Sequence, residues 1–208
     1  MENSIKQLIQ NWQPRNIAGI FCANKQEATD KILSLVPPDA SVGFSGSVTL
    51  DQLGIVSLLE KRGNRVANPY QKNLSRQESL KVRKIGPHSD FFLVSPNAIS
   101  AYGELVFFSA FGNRIAGISY VDNVIVVSGV NKIVPDLSQA MKRAREFATP
   151  LNCKRLNWPA PCLSDGICKE KICRFPEYKR MCCQVLTIEA EVEPGRLKVI
   201  LVGEELGF

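Results

Sequence analysis

Histidine is nearly missing from this sequence: His88 is the one example in 208 residues, and it follows Gly86-Pro87 outside any motif. His88 reads as a surface or loop residue, no Ser-His-Asp set is seen, and neither an HExxH helix nor a paired acid dyad is present, so hydrolysis finds no support. Ser45 and Ser47 have no histidine to activate them. No stretch approaches the ~20 consecutive apolar residues of a membrane span. The opening MENSIKQLIQNWQPR has acidic and polar residues where a secretory leader needs a basic start and an apolar run, so a cytoplasmic protein is expected. Tight C-x2-C pairs are also missing, although the chain carries 7 cysteines.

What is present fits one α/β domain over 1–208. A hydrophobic content of 45% supports a substantial core, and no long linker interrupts the chain. The formal charge of +6 is concentrated: residues 132–180 hold 11 Lys or Arg against 5 Asp or Glu, whereas 184–208 hold 2 against 5. An anionic ligand or a solvated basic face would both account for it. No RNA-binding signature and no interleaved aromatic run accompanies the excess, which argues against nucleic acid.

The chain is organised around residues 89–136. Phe91–Val94, Leu105–Phe108 and Val124–Val127 read as buried strands, being short, rich in β-branched and aromatic residues, and bounded by turn residues. Each ends on small or polar residues, with Ser95-Pro96-Asn97, Gly112-Asn113-Arg114 and Gly129-Val130-Asn131-Lys132 at the three tips. In open α/β sheets, ligands bind where loops leave the carboxyl ends of strands, so three polar tips beside one sheet point to a site. Taken singly, each tip could be no more than a tight turn whose Gly or Asn supplies a positive φ.

Ahead of this stretch, Ile5, Leu8, Ile9 and Trp12 share a helical face, Ile17–Ala23 reads as a strand, and Asn24 stands where an N-cap belongs before a helix stopped by Pro37-Pro38. Cys22, inside that strand, reads as a small buried apolar residue. SVGFSGSVTLDQLGI then gives a strand, a Gly/Ser turn and a helical run. Gly43, Ser45, Gly46, Ser47 and Thr49 could cradle an anion through backbone N–H groups, although the turn lacks the Lys of a P-loop. Ser75–Glu78 has the capping-box pattern, and a helix over 137–147 follows Asp136. Alternating strands and helices through residue 149 imply a mainly parallel sheet covered by helices. The final segment looks like two antiparallel strands joined by a Pro-Gly turn.

Between them lies the Cys-rich loop, 153–183. Cys162, Cys168, Cys173 and Cys182 could ligate zinc or an iron–sulfur cluster, since metal ligation orders a loop with little core of its own. Their spacing fits equally a set of buried or reversibly paired thiols. Glu104, in Gly103-Glu104-Leu105, is the best-placed carboxylate for a base or acyl acceptor, or else a charged strand-edge residue. Lys132 and Arg114 could hold a carboxylate or phosphate, with Asn97, Asn113 and Asn131 as orienting amides.

The run SPNAI…GELV…GNRIAG…VIVVSGVNKIVPD, flanked by VGFSGSVTLDQLGI, the PC…DG.C…C block and VILVGEELGF, resembles the lactate-utilisation domain family (LUD, formerly DUF162), in its short single-domain form related to lactate utilisation protein C. The resemblance spans nearly the whole chain. It implies a fold similar to sugar-phosphate isomerases and CoA-transferases, in which the 43–49 turn takes an anionic ligand. It further implies a component of an iron–sulfur system oxidising L-lactate to pyruvate, acting with an iron–sulfur partner subunit. A stand-alone isomerase or CoA-transferase-like enzyme using Glu104 on a phosphorylated or thioester substrate, or a metabolite-sensing module, is equally compatible with the residues.

Overall fold

The computed structural model describes residues 2–164, 166–168, 173, 177 and 179–208. The Cys-rich loop is therefore described in part, with residues 165, 169–172, 174–176 and 178 outside the described set. Strands run over Ala18–Cys22 (β1), Ser41–Phe44 (β2), Arg65–Ala67 (β3), Phe91–Val94 (β4), Ala98–Ser100 (β5), Leu105–Ser109 (β6), Asn123–Gly129 (β7), Ile133–Val134 (β8), Gln184–Ile188 (β9) and Leu197–Val202 (β10). Helices cover Glu2–Trp12 (α1), Lys25–Leu35 (α2), Val48–Leu53 (α3), Ile55–Arg62 (α4), Arg76–Ile85 (α5), Asn113–Tyr120 (α6), Leu137–Arg143 (α7) and Thr149–Arg155 (α8).

Six strands form one sheet in the order β1-β10-β7-β4-β2-β3, every pairing parallel. Parallel strands need crossovers, and these cover both faces with apolar side chains. On one face Ile32, Leu50, Leu53, Ile55 and Leu59 of α2, α3 and α4 pack on Val42, Leu93, Ile125 and Ile200. On the other, Ile5, Leu8 and Trp12 of α1 and Ile118 of α6 pack on Phe92, Val124, Val126 and Leu201. Each such side chain, fully removed from water, contributes ~1.5–3 kcal/mol toward offsetting chain entropy.

Local signals behave as their chemistry requires. The Asn24 side chain accepts from Glu27 N–H while the Glu27 carboxylate accepts from Ala23 N–H at 2.8 Å, closing the start of α2. Ser75 and Glu78 form the full capping box of α5. Asp136 caps α7, after which a π-helical turn over Ala144–Ala148 leads directly into α8, so the helical stretch outlasts the expected 137–147.

Two expectations are corrected. Leu105–Ser109 is not in the parallel sheet: β6 pairs antiparallel with β5 and β9 in a second sheet of order β8-β5-β6-β9. Its alternating residues explain the ambiguity, because Leu105 and Phe107 pack into the main core while Val106 and Phe108 pack under Ala140 and Ala144 of α7 and the following turn. Buried on both sides, the run has the continuous apolar character of a parallel strand. Nor do the last two strands form a hairpin. β9 pairs with β6, whereas β10 enters the main sheet between β1 and β7. The Pro-Gly turn at 194–195 joins two sheets, and a turn residue specifies a reversal without specifying the partner.

No helix among the described residues is long and apolar enough to cross a membrane.

Candidate functional site: a cationic cleft at the carboxyl edge of the sheet

After β2 the chain crosses to the face covered by α3 and α4, whereas the segment after β4 leads to β5, β6 and α6 on the opposite face. Neighbouring strands whose connections diverge in this way leave a crevice at their carboxyl ends. Here the Ser45–Ser47 loop and the Ser95–Asn97 loop form its walls. A cleft of about 280 Å³ opens between them, and an inner recess of about 40 Å³ beside Lys132 shares Gly46, Asn97, Arg114 and Asn152 with it.

Asn97 organises the cations. Its side-chain oxygen accepts from Arg114 Nη1 (3.2 Å) and from Phe108 N–H (2.8 Å), and its carbonyl accepts from Arg143 Nη1 (2.6 Å). Arg114 also donates to Ser45 Oγ (3.1 Å) and to the carbonyls of Gly46 (3.0 Å) and Phe108 (3.0 Å). Its planar fork thus ties the β2 loop, the β4 loop and the end of β6 together, a geometry that an ammonium does not reproduce. The Arg143 guanidinium continues to the Asn131 carbonyl at 3.2 Å. Asn131 in turn holds the C-terminal segment, accepting from Leu206 N–H at 3.0 Å and donating to the Gly207 carbonyl at 3.3 Å.

Lys132 is 3% exposed, and its Nζ donates to Ser95 Oγ (2.8 Å), Thr49 Oγ1 (2.9 Å) and the Pro96 carbonyl (3.2 Å). Burial, reinforced by Arg143 and Arg114, pulls its pKa down to about 7. Burial lowers those of Arg114 and Arg143 as well. Gly207, at φ +63°, closes one side of the recess: a Cβ there would stand 2.6 Å from Thr49 Oγ1 and 3.2 Å from Lys132 Nζ.

The outer cleft has a different lining. Arg83 lies between two rings, 5.2 Å from the centroid of Tyr70 and 5.3 Å from that of Phe111, and Phe111 meets Trp158 edge-on at 5.7 Å. Arg83 Nε is buried and has no hydrogen-bond partner among the described residues. With Arg155 nearby, the described residues lining cleft and recess include Arg83, Arg114, Lys132 and Arg155 and no Asp or Glu. Cations gathered in a concavity without Asp or Glu side chains are complementary to a negatively charged ligand.

Of the residues picked out from sequence, Ser45, Gly46, Ser47, Thr49, Ser95, Asn97, Asn113, Arg114 and Lys132 line this cleft. Ser47 is also the N-cap of α3. Gly43 lies inside β2 against the Gly86 backbone, Gly112 caps α6 at φ +82°, and Gly129 ends β7 beside Leu206. Asn131 acts one layer out, through Arg143 and Gly207. Glu104 and Gly103 stand elsewhere, at the β5–β6 turn: the Glu104 carboxylate accepts from Ser100 Oγ and faces Arg15 at 3.7 Å, and the Gly103 carbonyl accepts from Trp12 Nε1 at 2.8 Å. Tyr70, Arg83, Arg143, Asn152, Arg155, Trp158 and Gly207 were not singled out from sequence. Gly207-Phe208 was legible as part of the VILVGEELGF motif, whereas the arginines sit on helices where a charged residue reads as ordinary surface.

Cys153 and Cys162 pack with Ala160, Trp158 and Met181, with Cys153 Sγ 3.8 Å from Met181 Sδ, while Cys182 packs under α7 and accepts from Arg180 Nε at 3.4 Å. Burial pushes the thiols of Cys153, Cys162 and Cys173 up, and for Cys153 the adjacent Cys162 adds to it. No disulfide joins the described cysteines. Among the described residues no three His, Cys, Asp or Glu side chains are grouped to hold one metal ion. Cys168 and Cys182 nonetheless act on the thiols of Cys162 and Cys173, so the four lie within electrostatic reach of one another.

Comparisons with known proteins agree with the fold. The family profile described as "LUD domain" matches residues 5–202. No curated protein matches the chain. A DUF162 family protein from Deinococcus radiodurans has a similar structure at 13% identity, covering 97% of this chain and 96% of that one with a TM-score of 0.52, a likeness of fold alone. The eIF2B delta subunit of Chaetomium thermophilum aligns over 69% of this chain and 57% of its own at 14% identity, with a TM-score of 0.32, too low to bear any argument.

Proposed function

The chain belongs to the LUD domain family, and from that premise we propose that it serves lactate utilisation by binding a small organic anion in the cleft, beside an iron–sulfur subunit of an L-lactate oxidation system. Family membership supports a role related to lactate utilisation. The observation that carries the ligand reading is the cleft itself, where Arg83, Arg114, Lys132 and Arg155 converge with no Asp or Glu among the described lining residues. A hydroxy- or keto-carboxylate matches the cleft in charge. Its carboxylate is met by Lys132 and Arg114, and its oxygen by the Ser95 and Thr49 hydroxyls. The aromatic outer wall of Tyr70, Phe111 and Trp158 accepts a longer apolar body on the same anionic head.

The test is calorimetry with L-lactate, pyruvate and inorganic phosphate on the wild type and on Arg114→Met and Lys132→Met. Each variant loses one charge-assisted contact of ~1.5–3 kcal/mol, so affinity is expected to fall roughly tenfold or more. Affinities unchanged in both folded variants overturn the reading.

A further inference from the structure

Lys132 is placed to do more than supply charge. Its Nζ lies 2.8 Å from Ser95 Oγ, and both side chains are buried against the inner recess. Thr49 Oγ1 and the Pro96 carbonyl hold the amine at 2.9 and 3.2 Å, and Thr49 Oγ1 is 3.1 Å from Ser95 Oγ. An activated serine needs a base at about 2.6–3.2 Å and a further group that orients the base, and all three are present here. The charged groups acting on Lys132 are Arg143 and Arg114, both cations. An amine desolvated beside cations gives up its proton near neutrality, which is the state a base requires.

A lysine serving as an internal strut would have the same hydrogen bonds. It would not need an opening at the hydroxyl it contacts, whereas here Ser95 and Lys132 both line the 40 Å³ recess, which shares Gly46, Asn97, Arg114 and Asn152 with the main cleft. The pair is hidden in the sequence, because a search for histidine beside serine passes over a Ser–Lys arrangement whose members are 37 residues apart.

We propose that Ser95 and Lys132 are the nucleophile and base of an acyl-transfer site for a small ester or thioester bearing negative charge. The proposal rests on the anion-binding reading for how the substrate is held, with the negative charge met by Arg114, Arg83 and Arg155 while Lys132 takes the proton. Ser95 Oγ attacks the acyl carbon, forming a new C–O bond, while its proton passes to Lys132 Nζ. The bond from the acyl carbon to the alcohol oxygen or thiol sulfur breaks, and Lys132 returns the proton to the departing group. Water then attacks the acyl-serine, giving its proton to Lys132, and Ser95 Oγ leaves as the hydroxyl on taking that proton back. The products are a carboxylic acid and an alcohol or thiol.

A fluorophosphonate probe tests the pair on the full-length protein. Ser95 Oγ is expected to form one bond to phosphorus with loss of fluoride, giving a single adduct by intact mass that maps to Ser95. The labelling rate should rise with pH through about 7 and then level off. Ser95→Ala should abolish the adduct, and Lys132→Met should slow it by ~10²-fold or more, the usual contribution of a positioned base. Ser95→Cys supplies a second handle, since a thiol at that position should be alkylated by iodoacetamide faster in the presence of Lys132 than in Lys132→Met. The proposal is overturned by a cooperatively melting wild type that takes no adduct, by an adduct on another residue, or by one that forms in Lys132→Met at the wild-type rate. Calorimetry with pyruvate on the same sample separates the two readings: an unlabelled protein that binds pyruvate sinks the pair and keeps the anion site.

Discussion

Replacing Lys132 by Met removes the most thoroughly buried cation of the cleft and predicts a pH-dependent change in stability whose sign follows from burial. The folded pKa is about 7 against an ordinary 10.5. Keeping the ammonium in the fold at a pH below both values costs ~5 kcal/mol, because a tenfold difference in proton affinity between the folded and unfolded chain corresponds to about 1.36 kcal/mol. Because the folded value is the lower one, the unfolded chain binds more protons between about pH 7 and 10.5, so stability rises with pH across that window. From about pH 6 to about pH 9 the gain is ~2–3 kcal/mol, as an ammonium that donates to Thr49, Ser95 and Pro96 gives way to a neutral amine with two N–H donors. Urea unfolding of wild type and Lys132→Met at matched pH isolates it, since other titrating groups are common to both. The difference curve should climb by that amount toward alkaline pH. A flat difference, within about 0.5 kcal/mol, would show that the oxygen partners fully compensate the ammonium for lost water and would refute the argument from burial.

Two further outcomes are expected. Gly46→Ala would put a Cβ 2.5 Å from Tyr70 Oη and 2.6 Å from its Cζ, displacing the ring and breaking the 2.9 Å bond from Gly46 N–H. The expected loss is ~1–3 kcal/mol in thermal or urea unfolding, together with weaker anion binding as Arg83 loses an aromatic face. Iodoacetamide should modify Cys153 more slowly than ordinary exposed thiols at neutral pH and at a normal rate once urea unfolds the chain, because burial holds its thiol protonated. Stoichiometric iron with sulfide, or zinc, in protein purified without oxygen would mean that residues 153–183 regroup around the metal.

Much of this site was legible as loops and little of it as a set of contacts. The small and polar tips after Phe44, Val94 and Gly129 could be read as strand ends because apolar runs stop there, and the parallel sheet then brings those ends to one edge. Periodicity could not place β6, since Leu105–Ser109 is buried on both faces in a small antiparallel sheet as it would be in the large one. It could not separate β9 from β10 either, because strand pairing is decided by partners far along the chain. The Cys-rich segment offered ligand types without a geometry. The pairing of Ser95 with Lys132 depends on a helical turn after β7 that swings the lysine inward, and a lysine in a turn otherwise reads as solvent-exposed.

The insertion of β10 also governs how the chain can fold. Ala18 pairs with Lys198, so the first strand can join the sheet only after residues 197–202 have taken their place beside β7. Until then β7, β4, β2 and β3 can associate, but β1 has no edge to occupy, and Asn131 has no Leu206 N–H to accept from. Closing a loop of that span precedes any reward from the contacts it brings, which places this step late and makes it slow. A ribosome-bound chain that has emerged only through β7 would therefore present β7 as a bare edge strand, with β1 lacking its native partner even where α1 already reaches Gly103 through Trp12.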